Sequence, residues 1–308
     1  MRVFVAGATG AIGRPLVKRL VALGHQVTAT TRSQAKTDLL RSLGAEPVVV
    51  DGLDEVAVGQ AVARAEPAAV IHQMTALAGL NDFKHWEASF ARTNELRTRG
   101  TDILLAAALA ARAERFVAQS YTSWTTAPNS TSSPSTEDDP LDPRPLKAQA
   151  STLAAIRHLE RAVLEAPLIG VVLRYGSFYG PGATESLVEL VKKRRVPIIG
   201  RGTGVWSWIH VDDAAAATVA AMERGQPGIY NVVDDEPAAV ADWLPHLAAV
   251  TGARPPLRIP AWLGRLAAGE VGVSMMTRIR GSSNAKAKRD LDWKPAWPSW
   301  REGFRTLG

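Results

Sequence analysis

The sequence predicts an α/β fold, a doubly wound parallel sheet carrying a smaller C-terminal lobe. Three observations carry that expectation. Apolar runs of four or five residues alternate with stretches whose apolar positions fall at helical spacing. The runs are apolar at consecutive positions, as strands covered on both faces must be. The first of them leads directly into a glycine-rich turn and a helix, which is the opening of a Rossmann-type βαβ unit.

Taken in order, Val3–Ala6 is a strand bounded by Gly7, and Arg14–Leu23 places Leu16, Val17, Leu20, Val21 and Leu23 on one helix face. Gly24 ends that helix, and the β-branched alternation of Gln26–Thr30 makes a second strand. A right-handed crossover lays it parallel to the first. Lys36–Leu43 is a helix closed by Gly44, Pro47–Val50 a strand ending at Asp51, Val56–Arg64 a helix and Ala68–His72 a fourth strand. One long helix is predicted over Phe90–Ala111, then the strand Arg115–Gln119.

Thr125–Pro145, rich in Ser, Thr, Pro and Asp, has the composition of either a linker or an active-site loop. The fold resumes with the helix Leu153–Leu164 and the strand Gly170–Arg174, which favours the loop. Beyond Gly176 come the turn Tyr179–Gly182, the helix Ser186–Lys193, the short strand Val196–Ile199 and the glycine-rich stretch 200–204. Asp212 and Asp213 stand at the start of an alanine-rich helix, Ala214–Met222, where acidic groups are favoured, and Gly228–Val233 is a further strand. Most of the nine tryptophans follow Arg201, so the C-terminal part is expected to form a lobe packed over the carboxyl ends of the sheet, most of its rings being core.

Composition narrows the function. With 46 % hydrophobic and 21 % charged residues the chain reads as globular throughout. Its net charge of +6 is spread along the sequence, and the densest run, Lys192–Arg195, lacks interleaved aromatics. That run reads as a solvated helix end, and no nucleic-acid partner is expected. No cysteine is present, which excludes disulfides and thiolate chemistry, and the scattered histidines suggest no metal site. No apolar stretch has membrane-spanning length, so a cytoplasmic location without membrane attachment is expected.

The glycine turn carries the strongest chemistry. In Gly7-Ala8-Thr9-Gly10-Ala11-Ile12-Gly13 the glycines are three residues apart directly after the first strand. Gly7 permits the tight turn, Gly10 lets a pyrophosphate approach the backbone, and Gly13 lets the helix pack against the sheet. The free N–H groups of the helix start then face the anion. Where an NAD site usually carries Asp or Glu at the end of the second strand, this chain reads Thr30-Thr31-Arg32-Ser33. Arg32, with Ser33 and Lys36, either pairs with the 2′-phosphate of NADP or remains solvated surface. NADP is the expected cofactor, with NAD still open.

Further segments extend the pattern: Val70–Met74, Asn94 with Thr98, Leu173–Gly182, Ile209–Asp213, Tyr230–Val232 and Asp290–Pro295. Together with the glycine turn and Asp51 they resemble the extended short-chain dehydrogenase/reductases, the group that includes NAD-dependent epimerases and dehydratases. The resemblance implies that Asp51, Gly52 and Leu53 flank the adenine, that Met74, Thr75 and Asn94 lie along the ribose and pyrophosphate, and that Tyr175 and Gly176 border the nicotinamide. Ser177 stands where many relatives have a substrate-touching Asn. It also implies a dinucleotide-binding domain over 1–174, rejoined by 209–234, and a substrate lobe over 175–208 and 235–308.

Relatives carry out proton transfer with a Tyr, a Lys four residues later, and a Ser or Thr after the fifth strand. Counting back from Glu160 puts Ile156 at the lysine position and Thr152 at the tyrosine position. Tyr121, flanked by Ser120 and Thr122, stands roughly at the Ser/Thr position and is the alternative phenol, with Lys147 as a charge partner from the loop. Equally, the phenol closes the end of a strand and the lysine is loop surface. His210 reads as a hydrogen-bonded structural residue. Arg201 and Trp206 either clamp an anionic or ring-bearing substrate or belong to a surface turn. The resulting expectation is an NADP-dependent reductase transferring hydride to a carbonyl or activated double bond of a small metabolite. An epimerase or dehydratase, and a non-catalytic dinucleotide sensor, are the alternatives. A homodimer through Leu96–Leu109 and Leu153–Leu164 accords with the resemblance.

Overall fold

A computed structural model describes residues 1–77, 84–127 and 133–308. Part of the Ser/Thr/Pro-rich loop, residues 128–132, thus lies outside the described residues. Arg2–Ala6 (β1) runs into the helix Gly13–Ala22 (α1), then Gln26–Thr31 (β2), Thr37–Ser42 (α2), Glu46–Val49 (β3), Glu55–Ala65 (α3) and Ala69–His72 (β4). These bounds follow the periodicity closely: β1 and β4 are almost wholly apolar, β2 is rich in β-branched residues, and α1 and α3 each bury one stripe.

The next segment departs from expectation. Instead of one long helix there are two, Trp86–Arg97 (α4) and Arg99–Ala110 (α5), broken at Thr98 with φ −94° and ψ −91°. The Thr98 hydroxyl folds back onto the carbonyls of Asn94 (3.0 Å) and Glu95 (3.3 Å), a local bond that competes with the helix ladder. Arg115–Tyr121 (β5) also runs two residues further than the apolar pattern suggests, pairing Ser120 with Arg174 and Tyr121 with Tyr175. Ala150–Glu165 (α6) and Ile169–Tyr175 (β6) follow.

Beyond β6 come Ser177–Tyr179 (β7), Glu185–Lys192 (α7), Ile198–Ile199 (β8), Val205–Trp206 (β9), Trp208–His210 (β10), Val211–Arg224 (α8), Gly228–Val232 (β11), and, after a short bridge strand, the helices Val240–Val250 (α9) and Ala261–Thr277 (α10). Seven strands form one parallel sheet in the order β3-β2-β1-β4-β5-β6-β11. The crossover between β3 and β4 reverses the direction of strand addition, which opens a crevice at the carboxyl ends of β1 and β4. One apolar cluster fills the face covered by α1 and α8, and another the face covered by α3, α5 and α6.

Two further clusters lie outside the sheet. Tyr179, Trp208, Trp243, Trp300 and Phe304 form one, and Trp86, Phe90, Trp124, Leu153 and Ile156 the other. Most tryptophans are therefore core, as their number in this part of the chain suggests, whereas Trp262 on α10 is exposed.

Candidate functional site

The glycine turn sits at the carboxyl end of β1 because each glycine is held against backbone. A Cβ on Gly7, whose φ is +90°, would lie 2.6 Å from the Gln73 carbonyl, and one on Gly13 would lie 2.5 Å from the carbonyl oxygens of Gly7 and Ala8. Only hydrogen fits there. The Gly7 N–H donates to Thr30 Oγ1 (3.1 Å), which ties the turn to the end of β2. α1 has no side-chain cap at Ile12 and no acidic residue in its first turn, so its leading N–H groups and positive dipole end remain available to an anion.

This turn forms one wall of a cavity of about 480 Å³. Gly7, Gly10, Ala11, Ile12 and Gly13 line it together with Gln73, Thr75 and Gln119. Phe178, Leu187, Leu190, Trp206, Trp208, Trp243 and Met276 close the far side, and Ser177 lies between. Trp206 and Trp208 stack at 5.5 Å, and Trp206 is held by its Nε1–H donating to the Met275 carbonyl at 2.9 Å. A larger cleft of about 730 Å³ beside His210 and Trp297 lies outside the turn and holds no glycine of it. His210 caps α8 there by accepting the Asp212 N–H on Nδ1, and burial lowers its pKa, which suits a neutral structural residue.

The remaining candidates separate. Arg32 and Lys36 are exposed just beyond β2, and the Ser33 N–H donates to Thr31 Oγ1 (3.2 Å), which shapes that turn. Thr9 is half-buried in the glycine turn. Asp51 is committed twice, accepting from Leu53 N at 3.0 Å and from Arg92 Nη2 at 3.0 and 2.8 Å. Gly52 and Leu53 are buried, the former against Met74, whose Sδ would lie 2.2 Å from a Cβ there. Asn94 donates to Thr152 Oγ1 (3.2 Å) and keeps its own Oδ1 unpartnered. Tyr175 is fully buried, its hydroxyl held by Gln73 (3.2 Å) and Thr218 (2.6 Å), so only its backbone and that of Gly176 can face a ligand.

The expected catalytic group divides by the alternation of β5. Ser120 donates to Glu160 Oε1 (2.8 Å) and Thr122 shares a hydrogen bond with Ser282 Oγ (2.7 Å), both buried and away from the cavity. Tyr121 points the other way, its hydroxyl 3.1 Å from the cavity-lining Ser177 Oγ. Lys147 lies exposed on a single turn and Arg201 exposed in the lobe, neither lining the cavity. On α6, Thr152 is buried and accepts from Trp86 Nε1 (3.1 Å), and Ile156 is packed in the same aromatic cluster.

Two arginines escaped the sequence reading. Arg14 follows Gly13 and has a buried, unpartnered Nε. A Cβ at Gly182 would fall 2.1 Å from its Nη2, so this side chain crosses the mouth between α1 and the loop after β7. Arg97 is 4 % exposed with Nε and Nη1 unpartnered. Its signal was present: Phe90, Thr93, Arg97, Thr101 and Leu104 recur at three- and four-residue steps, which puts the arginine inside the buried stripe.

The family model described as the NAD dependent epimerase/dehydratase family matches residues 3–232. The chain belongs to that family. Over 310 residues it is 46 % identical to a 3-diazoavenalumate denitrifying reductase of a Streptomyces species, with 99 % of both chains covered. It is 29 % identical over 297 residues to a farnesyl-dihydroquinoline-oxide ketoreductase of Stigmatella aurantiaca, covering 94 % of this chain and 85 % of that one. Among solved structures, the UDP-glucose 4-epimerase of Thermotoga maritima with UDP-glucose superposes with a TM-score of 0.78 at 21 % identity, covering 99 % and 96 % of the two chains. The human epimerase family protein SDR39U1 with NADPH gives 0.75 at 21 %, covering 100 % and 99 %. The family member described here is an NAD(P)-dependent reductase, and the glycine cradle with its free helix start fits a nicotinamide dinucleotide. Among the described residues no helix is long and apolar enough to cross a membrane.

Proposed function

We propose that this protein is an NADPH-dependent reductase of planar aromatic compounds, delivering hydride to an electron-poor ring carbon whose reduction needs no proton from the protein. The observation that carries the reading is the cavity itself: a dinucleotide cradle at one end, three indole rings at the other. Half-buried Trp206, backed by the buried Trp208 and Trp243, offers an apolar ring face suited to a planar ligand, and among the described residues no cationic side chain lines that end to meet a sugar diphosphate.

The residues divide the work. Gly7–Gly13 and the N–H groups of α1 hold the pyrophosphate, with Arg14 closing over it, and Arg32 with Ser33 and Lys36 meets the 2′-phosphate. Asp51, Gly52 and Leu53 border the adenine, Met74, Thr75 and Asn94 the ribose and pyrophosphate, and the backbone of Tyr175–Gly176 the nicotinamide. The bound nicotinamide supplies hydride from C4. The aromatic wall and Ser177 hold the acceptor carbon against it and exclude water, which is where most of the rate arises in such a transfer. A ring carbon bearing a diazo group, the group in the Streptomyces relative's name, suits this arrangement. A C–H bond forms there, the C–N bond breaks with its electron pair leaving as N2, and no protein acid is consumed. Thr152 and Ile156 at the positions of the family's Tyr and Lys are consistent with such an acceptor. We place the enzyme in the cytoplasm, as a homodimer through α5 and α6, where Leu109 and Leu164 stay exposed.

Mixing purified protein with C4-deuterated NADPH and a hydroxyaryl diazo compound tests the reaction. The expected product has lost nitrogen and carries deuterium on the ring. Turnover of aliphatic ketones, with every aromatic acceptor left untouched, would overturn the reading.

A further inference from the structure

α4 ends on a cation that the fold has enclosed. Around Arg97, the Glu160 carboxylate is already taken by two hydrogen bonds from Arg174 (2.8 and 2.7 Å) and one from Ser120 (2.8 Å). His72, beneath it on β4, is kept neutral: burial lowers its pKa to about 4, and the charge of Arg97 adds to that. Glu137, which also feels Arg174, is offset by Lys286. Two guanidinium groups thus face one carboxylate, and among the described residues one buried positive charge has no counter-ion. An unpaired buried charge is costly to a fold, and an opposite charge arriving beside it relieves that cost.

The group that Arg97 acts on at the cavity side is Tyr121. Burial disfavours its ionised form, while the Ser177 hydroxyl and the charge of Arg97 oppose that effect. Its hydroxyl meets Ser177 Oγ at 3.1 Å, and Ser177 lines the cavity between the glycine turn and the indole wall. Cavity, hydroxyl and phenol follow one another inward, and the buried charge of Arg97 acts on the phenol through space.

We propose that Ser177 and Tyr121, backed by Arg97, form a receptor for an anionic oxygen on the aromatic substrate. This rests on the proposed reaction and narrows its substrate class to rings whose oxygen is conjugated with the carbon that accepts hydride. In a hydroxyaryl diazo compound that oxygen carries negative charge on entering. Hydride adds to the ring carbon, the C–N pair leaves with N2, and the ring departs as a phenolate that takes its proton from water. Ser177 donates to the oxygen, and Tyr121 donates to Ser177 Oγ behind it. Arg97 is a positioning residue that acts through Tyr121.

The test uses 4-nitrophenol, whose ionised form is coloured, titrated into the full chain loaded with oxidised NADP so that nothing turns over. The wild type is expected to bind it as the phenolate, lowering its apparent pKa by about one unit or more. Tyr121→Phe and Arg97→Met are expected to lose phenolate affinity about tenfold, and Arg97→Lys to restore part of it. Arg97→Met removes the unpartnered Nε and Nη1, so its melting temperature is expected to stay level or rise; Arg97→Gln provides a second reading of the same loss. Binding of the neutral phenol alone by the wild type, or unchanged phenolate affinity in the folded Arg97 variants, would overturn the receptor. Because the probe is not reduced, phenolate binding without reduction of any aromatic acceptor would sink the reaction and leave the receptor standing. Reduction of aromatic acceptors without phenolate binding would do the reverse.

Discussion

A methyl group at Gly13 is the smallest change that separates cofactor binding from the rest of the fold. Its clash is with the carbonyl oxygens of Gly7 and Ala8, which are backbone and cannot rotate aside. Relief requires the turn to move away from α1, and overpacking of this kind costs about 1–3 kcal/mol. Gly13→Ala is therefore expected to weaken NADPH binding roughly tenfold or more, measured by fluorescence titration. In the proposed function Arg32 acts by contrast through charge alone. Arg32→Ala is expected to raise the Kd for NADPH about tenfold while leaving that for NADH unchanged, and an equal loss for both would remove the 2′-phosphate contact. The glycine turn was legible because the spacing of its glycines has a fixed geometric meaning. Arg14 and Arg97 were not, since a charged residue reads as surface unless its place in the apolar stripe is weighed first.

At the scale of elements, β5 decides the site through its period of two. Tyr121 faces Ser177 while Ser120 and Thr122 face Glu160 and Ser282, so three neighbouring hydroxyls have different fates. The sequence placed all three at the strand end but not their faces, because the apolar run stops at Gln119 and the pairing with β6 continues to Tyr121. The break between α4 and α5 was hidden for a similar reason: the helical stripe runs on through Thr98, and only the hydroxyl's bonds reveal the turn. β4 carries a testable consequence. His72 links β4 to α4 through Nε2 and the Leu96 carbonyl (3.3 Å) and accepts the Met74 N–H on Nδ1 (3.2 Å), a neutral tautomer in a buried place. Its pKa is lowered from 6.5 to about 4. Between those values the unfolded chain binds a proton that the folded chain refuses, so stability falls as pH drops through that window, by up to ~3 kcal/mol. Urea melts at neutral pH and at about pH 4.5 are expected to show that loss in the wild type and a smaller one in His72→Gln. Parallel losses in the two proteins would assign the acid sensitivity to other groups.

For the whole molecule, the cavity matters because it belongs to neither side alone. Its glycine wall comes from β1 and α1, whose apolar residues join the sheet core, and its indole wall from Trp208 and Trp243, which are buried in the lobe cluster. In the proposed function a dinucleotide bound at the first wall presents its reactive end to the second, so its binding adds contacts to both cores. The free energy gained is set by linkage: a ligand at a hundred times its Kd stabilises the native state by about 2.7 kcal/mol. For a chain of this size that corresponds to a rise in melting temperature of several degrees, about 2–4 °C per kcal/mol or somewhat less. Matched concentrations of NADPH and NADH are expected to separate, with the larger rise for NADPH, and Arg32→Ala is expected to bring the two curves together. A 4-nitrophenol increment on top of NADP, present in the wild type and absent in Tyr121→Phe, would place the second ligand across the same gap. A melting temperature indifferent to every adenine dinucleotide would mean that the turn after β1 is only a tight connection, and the assignments built outward from it would fall with it.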